Sequence, residues 1–298
     1  LDGSDLHLPC VRGQEGALLA WEGLWECFYR RDPAGITTVL RPAGPEPPLR
    51  PRLALMRAVR ELALHHELRS GALALHASGL VREGRAVLFA GPRRAGKTTL
   101  LSACLSLVPD LQLLANDRVM VSPHPGGWNC RGMATGVSVR TGDEDLLPGL
   151  RQRLHAHTLG PEVGPGEPMA REFPLNRRLM LSPSQFCRSL GVTMAPESQP
   201  VLILLPRIDP TVNGLRWRRI DPTTAAASLA EALFGAAHPH SRSQLFDTPD
   251  SGAFPGPAER LALVQRLARE IPCGELVLGS DAYRRVRLQS FLDLVLAE

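Results

Sequence analysis

The chain is poor in lysine. Of its 34 basic residues only Lys97 is a lysine, and every other one is an arginine. Where charge alone matters arginine has taken over, so the surviving lysine marks a place where a compact ammonium is needed and a planar guanidinium will not serve. Cysteine is sparse too: the six, Cys10, Cys27, Cys104, Cys130, Cys187 and Cys273, are irregularly spaced and form no CxxC pair. That excludes a readable zinc or redox motif and leaves buried thiols in a reducing cytosol as the expectation. Uncharged apolar runs of the roughly 18 residues that span a bilayer are missing, and Leu1-Asp2-Gly3-Ser4-Asp5 has no basic-then-apolar signal pattern. The expectation is a cytoplasmic protein with no membrane partner. Net charge is only +4 with the basic residues scattered, so charge does not point to nucleic acid.

What is present is enough for a large core. The chain has 298 residues, 44% hydrophobic and 21% charged, the balance of a globular protein rather than a disordered or fibrous one. Residues 1–50 mix short apolar stretches with Pro and Gly, which reads as an irregular or β-rich lead-in. From Leu53 to Leu68 apolar residues recur at helical spacing, giving an amphipathic helix that Gly71 stops. Ala72 to Val81 and Ala86 to Ala90 flank Arg82-Glu83-Gly84-Arg85 and read as a β-hairpin. Next come a helix over Thr98–Leu107, a buried strand over Leu111–Ala115, and a hairpin of Arg118–Ser122 with Trp128–Arg131. The Gly/Pro-rich stretch Thr141–Met169 reads as a lid or binding loop. Val201–Leu205 is a further buried strand with Leu215–Ile220 as its expected hairpin partner, and Asp221-Pro222 opens a helix. The end reads helix (258–270), strand (Glu275–Leu278), helix (281–297). The pattern is that of an α/β or α+β protein, divided into a lead-in over 1–70 and a main domain over 71–298.

Gly91-Pro92-Arg93-Arg94-Ala95-Gly96-Lys97-Thr98 fits G-x-x-x-x-G-K-[ST], with a strand expected before it and a helix after. This is the pattern of a P-loop. The glycines let backbone N–H groups turn inward around phosphates, and the helix N-terminus adds positive potential. Lys97 would reach the β and γ phosphates, and Thr98 would offer its hydroxyl to Mg²⁺. The expected nucleotide-binding set is therefore Gly91, Arg94, Ala95, Gly96, Lys97, Thr98 and Thr99, with ATP as ligand.

A hairpin precedes this loop where ordinary P-loop proteins have a single strand. LHASGLV around His76, LFAGPRRAGKTTL and LLANDRVMV together resemble the catalytic domain of HPr kinase/phosphorylase and its relatives. That family shares a core with ATP-dependent phosphoenolpyruvate carboxykinase. The resemblance covers residues 70–122 in motif detail, extends weakly to RGMATGVSVR and the terminal strand and helix, and does not include the N-terminal domain of true HPr kinases. It implies an α/β P-loop core with a mixed β-sheet flanked by helices. It also implies transfer of the γ-phosphoryl of ATP, with Mg²⁺, to a hydroxyl, typically a serine of a protein or peptide, by an enzyme that is a homo-oligomer. His76, Lys97, Asn116 and Asp117 match the family's catalytic positions, and Thr98 and Asp117 its metal ligands. One position departs: the family has an acidic residue where this chain has Asn116, and an amide cannot take a proton at neutral pH.

Other residues carry weaker signals. On residues alone His76 is a core histidine of an apolar strand, and only the resemblance gives it a site role. Asp117 shares an end of the sheet with the glycine-rich loop if their strands are parallel neighbours. Arg118 reads as a local ion pair. Arg131, Arg140, Arg171, Arg177 and Arg178 read singly as solvated charges, although any could stabilise a transferred phosphoryl. His155 with His157, and His238 with His240, lack ligand partners in pattern; His65 and His66 belong to the amphipathic helix, and Gly142–Asp145 to a solvated turn. The functional expectation is a kinase acting on a serine of a protein or precursor peptide. The alternatives are a kinase of a small-molecule alcohol and a non-catalytic nucleotide-binding regulatory module.

Overall fold

The computed structural model of the protein describes residues 10–13, 16–21, 25–32, 35–42, 60, 63–64, 66–133, 135–140, 178–234 and 256–297. The chain divides into two compact units, Leu1–His66 with His238–Gly252 and Glu67–Ala237 with Ala253–Glu298. The first holds an antiparallel meander, β1 (Cys10–Gly13), β2 (Gly16–Trp21), β3 (Trp25–Asp32) and β4 (Gly35–Pro42), in that spatial order. The expected amphipathic helix is helical at 60, 63, 64 and 66–69, and its other residues lie outside those described. Gly71 at φ 82 ends it, donating to the Leu68 carbonyl, the left-handed stop that glycine adopts without strain.

The second unit is α/β, a mixed sheet flanked by helices. It opens with the expected hairpin, β5 (Leu73–Arg82) and β6 (Arg85–Ala90). Glu83 and Gly84 both have positive φ, 53° and 76°, the backbone that a tight two-residue hairpin turn needs. After β6 come α1 (Lys97–Leu107), β7 (Gln112–Ala115) and the hairpin β8 (Arg118–His124) with β9 (Gly127–Gly132). β10 (Val137–Arg140) pairs with β11 (Arg178–Leu181), and α2 (Pro183–Leu190) follows. β12 (Glu197–Ile208), β13 (Leu215–Arg219), α3 (Pro222–Glu231), α4 (Pro257–Glu270), β14 (Cys273–Leu278) and α5 (Arg285–Ala297) complete the unit. The strand order is β13-β14-β12-β6-β5-β8-β9, with β7 also on β5 and β9 also on the start of β12.

β6, β12 and β14 are parallel neighbours. Buried on both faces, β6 and β12 read as near-continuous apolar runs, as strands do inside a parallel sheet. Val87, Phe89, Leu202 and Leu204 face a core completed by α1, α2 and α5. Leu88 and Ile203, one residue out of step, face a second core completed by α3 and α4. The period of two thus assigns helices to each face.

The hairpin expected between Val201–Leu205 and Leu215–Ile220 does not form. β12 already has a parallel neighbour on either edge, and β13 passes beyond β14 to pair with it antiparallel, Leu215 opposite Leu278. The helix at Asp221 stands as expected: the Asp221 carboxylate accepts from the Thr223 and Thr224 N–H groups ahead of Pro222. Cys104, Cys130, Cys187 and Cys273 are buried free thiols, and burial raises their pKa values to about 12, 12, 11 and 12. Among the described residues, no helix is long and apolar enough to cross a membrane.

Candidate functional site

The parallel strands all end on the same side, and the glycine-rich segment lies across their ends. It leaves β6 at Gly91 (φ 143), turns through Arg94 (φ 68) and Gly96 (φ 91), and enters α1 at Lys97. Two of these three are glycines, which reach positive φ freely; Arg94 adopts it against its Cβ. Space also requires Gly96: a Cβ there would lie 3.0 Å from Leu278 Cδ1 and 3.2 Å from Ile208 Cγ1, at the tips of β14 and β12. The Gly91 N–H donates to the His76 carbonyl at 3.2 Å, which ties the loop's entrance to β5. At its exit the Gly96 carbonyl accepts from Leu100 N at 2.9 Å, and no side chain caps the first turn of α1. The α2 N-terminus is closed by a Ser182–Gln185 capping box. Backbone N–H groups at an uncapped helix start are donors for an anion.

Lys97 is buried, 7% exposed, and its Nζ donates to the carbonyls of Gly91 and Pro92, each at 2.7 Å. The chain's one lysine side chain is thus folded inside the loop that precedes it. Burial lowers its pKa from 10.5 to about 8; the Asp117 carboxylate opposes this fall and Arg93 adds to it. The Ser78 hydroxyl on β5 donates to the Lys97 carbonyl at 3.4 Å, a second tie between hairpin and helix.

The acidic side of the site comes from β7 and β8. β5 divides its outer edge between them, with Gly79 opposite Ala115 and His76 opposite Arg118. The intervening Asn116-Asp117 turn therefore falls beside His76. β7 is not a parallel neighbour of β6, because β5 lies between and is antiparallel to both; the two strands still run the same way, so their ends share one side of the sheet. His76 Nε2 lies 3.4 Å from Asp117 Oδ1, and Arg118 Nε lies 3.7 Å from Asp117 Oδ2. Burial pushes the Asp117 carboxyl up, but the His76 hydrogen bond and the charges of His76, Arg118 and Lys97 outweigh it and hold the group below the ordinary carboxylate range. Asp117 is therefore a carboxylate at any physiological pH.

Phe234, invisible in the sequence pattern, locks this pair. The segment after α3 joins β5 through His76 N–H to the Ala232 carbonyl at 2.7 Å and Phe234 N–H to the Ala74 carbonyl at 2.8 Å. That sets the Phe234 ring 5.3 Å from the His76 ring and 4.4 Å under the Arg118 guanidinium, within cation–π range. Asn116 is buried, 8% exposed, and its Oδ1 has no hydrogen-bond partner among the described residues.

The structure brings His76, Lys97 and Asp117 together, with Asn116 adjoining and Thr98 and Thr99 in the first turn of α1. Arg93 and Arg94 are exposed on the loop and Ala95 is half-buried. Arg131 is not among them: exposed, it pairs with Glu67 at 2.8 Å. Arg140 stands opposite Arg178 in the β10–β11 register. Residues 141–177, with His155, His157, Arg171 and Arg177, lie outside the described residues, as do His65, His238 and His240. No group of three or more His, Cys, Asp or Glu side chains that could hold a metal is found among the described residues. The hydroxyl of Thr98 and the carboxylate of Asp117 are hard oxygen donors of the kind Mg²⁺ takes one or two of, completing its shell with water and phosphate oxygens. Compared with known proteins, the chain matches no protein-family model and no curated protein.

Proposed function

We propose that the protein is an ATP- and Mg²⁺-dependent kinase, built on an HPr-kinase-like and phosphoenolpyruvate carboxykinase-like P-loop core, that phosphorylates a hydroxyl on a protein or peptide. The observation that carries the reading is Lys97: the chain's one lysine is buried at the start of an uncapped helix, and its ammonium donates to the carbonyls of the loop that would cradle the phosphates. Four free buried thiols agree with a cytoplasmic setting.

In this reading the loop N–H groups and Lys97 bind the β and γ phosphates, and Lys97 exchanges its two backbone carbonyl partners for phosphate oxygens. Thr98 and Asp117 would hold Mg²⁺, which when bound would supply positive charge to offset that of the phosphates. The acceptor's hydroxyl oxygen forms a bond to the γ phosphorus as the bond to the β–γ bridging oxygen breaks, and that electron pair leaves on ADP. The hydroxyl proton passes to the Asp117–His76 pair and on to water. A loose transition state asks little of a base, so Asn116 does not prevent transfer. Arg118 and Phe234 act by positioning the Asp117–His76 pair.

Asn116 favours a second reading, a nucleotide-occupied regulatory module without transfer, because a buried amide with an unpartnered Oδ1 has no proton-accepting chemistry. Incubation with γ-labelled ATP, Mg²⁺ and serine-containing peptides separates the two. Label on a hydroxyl, reduced at least about 100-fold in Lys97→Ala, is the kinase result; nucleotide binding with no label on any acceptor is the module's.

A further inference from the structure

The large sheet ends differently on its two sides. On one side β9 turns back to pair with the start of β12; on the other β13 pairs with β14 and, among the described residues, with no strand beyond it. Ile220 N–H donates to the Cys273 carbonyl at 3.0 Å and Gly279 N–H to the Gly214 carbonyl at 2.8 Å, and a Cβ on Gly274 would lie 2.9 Å from the Arg218 carbonyl oxygen. Residues 214, 216, 218 and 220 therefore turn their backbone groups to β14. The alternation of an antiparallel ladder then turns those of Leu215, Trp217 and Arg219 outward. A row of outward N–H and C=O groups is a template for one more strand.

The side chains of this edge select which strand. Arg216, Arg218 and Arg219 are exposed, and exposed Arg207 stands in line with Arg216 through Val277, on the same face of the sheet. Among the described residues these four guanidinium groups are paired with two carboxylates, Asp209 at 3.0 Å from Arg207 and Glu275 at 2.7 Å from Arg218. Like charges set opposite one another destabilise a strand pair and opposite charges stabilise it. A second copy of β13, bringing its own arginines, is therefore disfavoured, and a strand bearing carboxylates is favoured. The edge also begins near the glycine-rich loop: Leu215 is opposite Leu278, whose Cδ1 would lie 3.0 Å from a Cβ on Gly96. With neighbouring strands about 4.8 Å apart, an added strand would lie about 10 Å from β14, a span that roughly three extended residues cover at about 3.3 Å each.

We propose that the outer edge of β13 is a docking site for an acidic, extended peptide segment. The segment adds to the sheet as a further strand through the backbone groups of Leu215, Trp217 and Arg219, and Arg207, Arg216 and Arg218 select its carboxylates. That the docked segment also carries the phosphorylated hydroxyl rests on the kinase reading; the docking itself does not. On that reading recognition is separate from transfer, and acceptors are chosen by acidic residues a few positions away from the hydroxyl.

Fluorescence anisotropy on the full chain tests the docking without nucleotide. The probe is a labelled peptide of alternating valine and glutamate with a serine at each end beyond a glycine spacer; its control has lysine in place of glutamate. The acidic peptide is expected to bind saturably and at least about tenfold more tightly than the control, and Arg216→Glu to weaken it at least about fivefold. Arg219→Pro removes an outward N–H from a strand edge that tolerates proline, and is expected to bind at least about fivefold more weakly than Arg219→Ala. Thermal melts of the three variants check that the fold is retained. Absence of binding, equal affinity for the two peptides, or native affinity in Arg216→Glu overturns the docking site. Equal affinity in Arg219→Pro and Arg219→Ala overturns strand addition. With γ-labelled ATP and Mg²⁺, label on the peptide's serine, with KM raised and kcat unchanged in Arg216→Glu, supports the acceptor role. Binding that depends on Arg216 without any label supports the docking edge and counts against the kinase reading alone.

Discussion

The two halves of the second unit's sheet contribute differently to the site. The parallel half, β6, β12 and β14, supplies backbone: its strand ends carry a loop of positive-φ residues, and the buried ionisable group at that loop is a lysine turned back on the loop's own carbonyls. The antiparallel half, β5, β7 and β8, supplies side chains, with Asp117 within 4 Å of both His76 and Arg118 and Phe234 packed on His76 and Arg118. Helix dipoles and free N–H groups gather where parallel strands feed helices. An antiparallel turn between paired strands instead brings side chains from three strands into register. A glycine-rich loop at an uncapped helix start and a cluster of titratable groups are thus products of two different sheet geometries that meet at β5.

The comparison breaks if the two halves cannot be separated by mutation. Asp117→Asn keeps shape and removes charge. Mg²⁺-dependent transfer should fall about 100-fold, or roughly 2.7 kcal/mol, while nucleotide affinity without metal stays within about threefold, as titration with and without chelator would show. A parallel loss of metal-free affinity would mean that the halves act as one unit. Gly96→Ala tests the backbone half alone. A positive φ of 91° and contacts of 3.0–3.2 Å to Leu278 and Ile208 should cost about 1–2 kcal/mol in chemical denaturation, with a matching loss of nucleotide affinity and no change in the His76–Asp117 pair.

A subtler test is the proton. With Lys97 titrating near 8, an anion that favours its ammonium should draw in about half a proton on binding at pH 8. Calorimetry in two buffers of different ionisation enthalpy measures this, and Lys97→Ala should abolish it. The sign for stability is opposite: because the folded pKa lies below the unfolded 10.5, the folded state binds fewer protons and stability should rise between about pH 8 and 10.5. Smallest is Arg131→Ala, which loses an exposed pair to Glu67 away from both halves. It should move stability by less than about 0.5 kcal/mol and leave transfer unchanged.

Local signals were legible wherever chemistry was local. Glu83-Gly84, Asp221-Pro222 and the G-x-x-x-x-G-K-[ST] spacing each fix a conformation within a few residues, and each element lies where its residues indicate. Ser182-Pro183-Ser184-Gln185 carried an equally local signal, a capping box with proline at N1, and reveals α2, which periodicity alone passes over. Partners set by the whole sheet were not legible. β13 pairs with β14 rather than with β12 because parallel strands occupy both edges of β12, a fact spread over more than a hundred residues. Phe234 reaches His76 across 158 positions and Ile208 reaches Gly96 across 112, and neither distance leaves a trace in spacing.

The central claim, that Gly91–Thr98 holds the phosphates of a nucleotide through Lys97, is tested most directly by titrating ATP with Mg²⁺ into the native protein and into Lys97→Ala at pH 7. The account predicts saturable binding to the native protein and at least about 100-fold weaker binding to the variant, with the variant still folded by its thermal melt. Equal affinity in the two proteins would contradict it.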